Sequence, residues 1–184
     1  MHMSKLAIGT ALALIIAVAI GRAEGATSAF EGTLSSTGIS VEMDTNGDGL
    51  QGGVLTGIMD GPAVTGGSQF DFQSYIEFSP PRLSANCPVG TGELPLLLNR
   101  FVLYQRSTGD QIVGQINSTT TCVDPDTGAF TTDGSATITG GTGQFAGATG
   151  SFELNQTGAV LVHSGNRVFI RLSGPFKGTI TTTP

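Results

Sequence analysis

The run Phe70-Asp71-Phe72-Gln73-Ser74-Tyr75-Ile76-Glu77-Phe78 alternates apolar and polar side chains, a period that suits a strand and not a helix. Phe70, Phe72, Ile76 and Phe78 share one face, and Asp71, Gln73, Tyr75 and Glu77 share the other. No internal segment sustains a helical apolar period. Residues 96–106 and 111–116, joined by Ser107-Thr108-Gly109-Asp110, form a hairpin candidate. Further strands are expected at 135–139, 150–156, 159–163, 168–172 and 176–182. Turn clusters such as Asp124-Pro125-Asp126-Thr127-Gly128 lie between them. The 28 glycines, and threonine almost as frequent, fit strands joined by tight turns. The longest irregular stretch is 79–93, with Pro80, Pro81, Cys87 and Pro88. No linker divides the chain, so the pattern predicts one all-β domain, a sandwich or a closed antiparallel barrel.

The N-terminus reads differently. Lys5 precedes the uncharged run Leu6 to Ile20, shorter than the about 20 apolar residues that span a bilayer. The run therefore reads as a secretory signal core, with small residues for cleavage after Ala23. Cleavage after Gly25 is the alternative, and Arg22 leaves open a retained anchor. The expected organisation is a signal peptide at 1–23 and a barrel domain at 24–184. The expected address is extracellular or periplasmic, with no membrane segment after cleavage. The chain carries a net charge of −6 at full length. Without residues 1–23, six basic residues face fourteen acidic ones, giving −8. That sign removes the electrostatic footprint of a nucleic-acid binder.

Export makes the cysteines informative. Cys87 and Cys122 are the only two, and an even count in an oxidising compartment predicts a disulfide between them. Two cysteines and His163, the one histidine left after cleavage, cannot supply the four ligands of a structural zinc site.

One repeat bears on closure. Phe30-Glu31-Gly32-Thr33 echoes Phe176-Lys177-Gly178-Thr179, and pairing of the first and last strands would set Glu31 across from Lys177. The stretch Ile138-Thr139-Gly140-Gly141-Thr142-Gly143-Gln144-Phe145-Ala146-Gly147-Ala148-Thr149-Gly150 is also distinctive. Its glycines 140, 141, 143, 147 and 150 allow positive φ or close backbone approach, with Phe145 expected beneath the turn. This stretch resembles a hairpin motif of the allene oxide cyclase and dirigent barrels, over roughly residues 135–155. It is also similar to secreted bacterial proteins of unassigned function that share the motif. The resemblance implies a single antiparallel barrel of about eight strands, often trimeric. It places no catalytic residue of those families on this chain.

Candidate sites are few. Asp44-Thr45-Asn46-Gly47-Asp48-Gly49-Leu50 reproduces the first half of a calcium loop, with Asp44, Asn46 and Asp48 as side-chain ligands and the Leu50 carbonyl as the next. Position 12 is Leu55 rather than glutamate, so Asp60 or Glu42 would have to complete the shell, and a metal-free turn is the alternative. Tyr75 and Glu77 would serve as acid and base if their face lined the lumen, with Arg100 or Arg171 binding an anion. If that face meets solvent, it is the wet side of an ordinary strand. No nucleophile elbow accompanies His163. Asn117-Ser118-Thr119 and Asn155-Gln156-Thr157 match the glycosylation sequon.

The favoured reading is a non-enzymatic secreted barrel, either binding a small apolar ligand or serving as an extracellular interaction or structural module. The competing reading is a cyclase-, isomerase- or dirigent-like enzyme acting on a small apolar substrate in the lumen. A homotrimer would cover Phe70, Phe72, Ile76 and Phe78 if these pointed outward.

Overall fold

The computed structural model describes residues 25–41, 51–60, 69–78 and 81–183. Nine strands are described: β1 (Ala26–Val41), β2 (Gln51–Asp60), β3 (Gln69–Phe78), β4 (Gly92–Glu93), β5 (Leu96–Gln105), β6 (Gln111–Val123), β7 (Ala129–Gly141), β8 (Thr149–Ser164) and β9 (Arg167–Thr182). A short 3-10 turn, Gly143–Phe145, joins β7 to β8. Every pairing is antiparallel. Around the sheet the order is β6-β5-β3-β2-β1-β9-β8-β7, and β7 pairs back onto β6. Eight strands thus close into a barrel, and β4 is an extra strip on β6.

The first and last strands pair along sixteen residues, from Ala26↔Thr182 to Val41↔Arg167. The repeated tetrapeptides meet in this ladder, with Phe30 opposite Gly178, Glu31 opposite Lys177 and Gly32 opposite Phe176. Each phenylalanine therefore lies beside the glycine of the other copy. Their ring centroids are 5.2 Å apart.

The same pairing recurs around the wall, with Phe72 opposite Gly57, Phe101 opposite Gly114 and Phe130 opposite Gly158. At Gly114 a Cβ would lie 2.7 Å from Phe101 Cε1, so the ring uses the space that glycine leaves. Phe30, Phe101, Phe152 and Phe176 form a contiguous cluster of tilted and edge-on rings with centroids 5.2–5.9 Å apart. Leu34, Phe70, Phe72, Leu103, Ile112, Ile138, Leu172 and Ile180 complete the buried interior.

Phe145 is fully buried and stacks at 6.0 Å from Phe70, under the turn as expected. Positive φ is adopted there by Gly143 (54°), Gly147 (69°) and Gly150 (156°). Gly141 is needed for closeness instead, since a Cβ would sit 2.7 Å from that of Phe145.

The segments expected separately at 150–156 and 159–163 are one continuous strand, β8, and those at 168–172 and 176–182 are one strand, β9. Outward threonines and serines pair across strands, as in Thr27–Thr181 at 2.7 Å and Ser118–Ser135 at 3.0 Å.

Candidate functional site

Inside the barrel, buried polar side chains stand among the apolar ones. β1, β3 and β8 run in the same direction, because two antiparallel pairings separate β3 from β1 and two separate β1 from β8. Their buried inward side chains pass from Phe30 and Leu34 to Ser36, from Phe70 and Phe72 to Ser74, and from Phe152 to Gln156. Phe145 and its glycine turn close the opposite end. Buried hydroxyl and amide groups thus interrupt an otherwise apolar interior, Ser36, Ser74 and Gln156 on these strands and Gln105, opposite Phe70, toward the Phe145 turn.

Gln156 has a structural task. The β8–β9 ladder passes from Leu154↔Phe176 to Thr157↔Ser173, leaving no backbone pairs at Pro175, which has no N–H to donate. The Gln156 side chain fills in, its Nε2 donating to the Pro175 carbonyl at 2.9 Å. Gln156 is only 2% exposed, and its Oε1 is buried without a hydrogen-bond partner. A buried acceptor without a donor is uncommon and unfavourable.

The strand that carried the acid–base candidates turns its polar face outward. Phe70, Phe72 and Ser74 are buried, while Asp71 is exposed and Tyr75 is 44% exposed. Tyr75 stands in register with Arg100, itself exposed, and the Tyr75 hydroxyl makes only a long 3.4 Å hydrogen bond to Gln73 Oε1. Tyr75 and Arg100 are therefore on the solvated face and not in the lumen. Glu77 is in β3, opposite Leu98. On the same outer wall Arg106 forms two contacts with Asp71 Oδ1, at 2.7 and 2.9 Å, and one with Gln69 Oε1 at 2.6 Å. Both partners of that ion pair are widely exposed, so it contributes little to stability.

The remaining candidates are scattered. His163 is exposed near the end of β8, opposite Val168, and Arg171 is exposed on β9. Asn117 donates to Thr137 Oγ1 at 2.7 Å, and Asn155 donates to Asp133, so both sequon asparagines take part in cross-strand pairs. The proposed calcium ligands Asp44, Asn46, Asp48 and Leu50, and the signal peptide at 1–23, lie outside the described residues.

The Cys87–Cys122 disulfide is present, with Cα atoms 5.5 Å apart. At a sequence separation of 35 it removes about 3–4 kcal/mol of unfolded-state chain entropy. The Asp124 turn is also formed. Its Oδ1 accepts from the N–H groups of Asp126 at 2.8 Å and Thr127 at 3.1 Å. These bonds hold the carboxyl below its ordinary value, the Thr127 N–H contributing most.

Sequence reasoning passed over Ser36, Ser74 and Gln156. Each lies on the inward alternation of its strand, directly after Leu34, Phe72 and Leu154 on that face.

No protein-family model and no curated protein matches the chain. Among solved structures the chain is similar to a pterocarpan synthase dirigent protein, at 12% identity and TM-score 0.38, over 85% of this chain and 86% of that one.

Proposed function

We propose that this chain is an exported, disulfide-stapled barrel that acts through its outer surface, as an extracellular interaction or structural module. One observation carries the reading. The described interior is filled by interlocking phenylalanine rings, while Tyr75, Arg100 and His163 stand outside it, separated from any enclosed space. Export rests on the apolar leader and is consistent with the disulfide. A calcium ion held by Asp44, Asn46, Asp48 and the Leu50 carbonyl would stiffen the connection between β1 and β2.

Native mass spectrometry of the exported protein tests the reading. The expected species is the oxidised chain without its leader and without a bound organic molecule. The small-ligand reading has one observation in its favour, the buried and unpartnered Gln156 Oε1. A stoichiometric small molecule whose binding weakens in Gln156→Leu would replace the module reading with that one.

A further inference from the structure

Residues 81–95 are attached to the barrel without being part of it. The eight-strand ring closes through β6–β5 on one side and β6–β7 on the other, with no contribution from β4. The β5–β6 ladder ends at Arg100↔Gln115, and β4 covers the far stretch of the same edge at Cys122 and Val123. None of the buried apolar side chains that form the described core comes from 81–95. Leu83 and Val89 are 92% and 105% exposed.

Few non-covalent ties hold the segment. Arg82 and Glu93 exchange backbone hydrogen bonds at 2.9 and 2.8 Å within it, and Leu94 N–H donates to the Thr121 carbonyl at 2.8 Å. The Arg82–Glu93 ion pair is long, 3.9 Å, with Arg82 two-thirds exposed. The one strong link from this segment to β6 is Cys87–Cys122.

We infer that residues 81–95 are a redox-released strap: reduction of Cys87–Cys122 by a dithiol frees the strap and bares the Thr121–Val123 edge of β6, while the eight-strand ring stays folded. A thiolate of the dithiol attacks the half-buried Cys87 Sγ, and the Cys122 thiolate leaves and takes up a proton. The second thiol of the reductant then attacks its own sulfur in the mixed disulfide and expels the Cys87 thiolate. Two electrons pass to the cysteine pair, and the dithiol ends as a disulfide. What is gained is an unpaired strand edge, a backbone surface that an extended segment can join. Such local opening is a low-energy event where few buried contacts are lost.

Hydrogen exchange on the folded, oxidised chain before and after dithiothreitol treatment tests this, with limited trypsin digestion alongside. Amides of Arg82, Glu93 and Leu94 should exchange about tenfold faster or more after reduction, and trypsin should cut after Arg82. Exchange across the β7–β8–β9 ladders should stay unchanged. The double variant Cys87→Ser/Cys122→Ser should show the released pattern without any reductant. The inference is overturned by a bond that resists dithiothreitol in the folded chain, by a strap equally protected in the double variant, or by β8 and β9 opening together with the strap.

Discussion

Phe145 has no exposed surface and fills the end of the barrel under a turn that only small residues can make. Phe145→Ala should therefore destabilise the fold by about 3–5 kcal/mol in denaturant titrations; a loss below about 1 kcal/mol would mean the ring is not held by packing. Asp124 makes a prediction about acid. Its folded-state pKa lies below the ordinary aspartate value of 3.8, so its stabilisation is present above that value and fades as pH falls through the lowered one. Carboxyl titration by NMR should place the Asp124 midpoint under 3.8, and the stability gap between wild type and Asp124→Ala should narrow on acidification. Both residues were legible in the sequence because local turn chemistry sets their roles. Gln156 was not, because its role depends on a missing N–H at Pro175, on the neighbouring strand.

At the level of elements, the strongest signal was the Phe-x-Gly-Thr repeat. It predicted both the β1–β9 pairing and the Glu31–Lys177 register. The reason is mutual accommodation of ring and glycine, which a two-residue slip would turn into ring against ring. The alternating run in β3 was equally clear as a strand, yet alternation alone leaves the choice of inward face open. Enclosure of Phe70 and Phe72 decides it, and Tyr75 falls on the outside. The Asp44–Leu50 loop is tested by melting with chelator and with millimolar calcium. Calcium at one hundred times Kd should add about 2.7 kcal/mol, and the gain should vanish in Asp44→Ala and Asp48→Ala. Superimposable melts would leave the segment a metal-free turn.

For the whole molecule, closure places Phe70 and Phe72 inside, and the outward apolar face on which the trimer expectation rested loses them. Light scattering of the oxidised chain should accordingly report a monomer; a stable trimer would point to another surface, with exposed Leu161 and Val162 the first to mutate. Fold class was readable from turn spacing and alternation, although β2 gave no such signal and β8 and β9 were each expected as two strands. The burial of Ser36, Ser74 and Gln156 was not readable, because it exists only once the ring carrying β3, β1 and β8, with β2 and β9 between them, has closed. The pairing of β1 with β9 also governs timing. The seam joins Ala26 to Thr182 and Val41 to Arg167, so closing the ring needs a pairing of high sequence separation, which forms late in folding. The same adjacency permits the ends to be rejoined. A circular permutant linking Thr183 to Gly25 and opened at Gly109 should fold to the same barrel, with its former final step now made early.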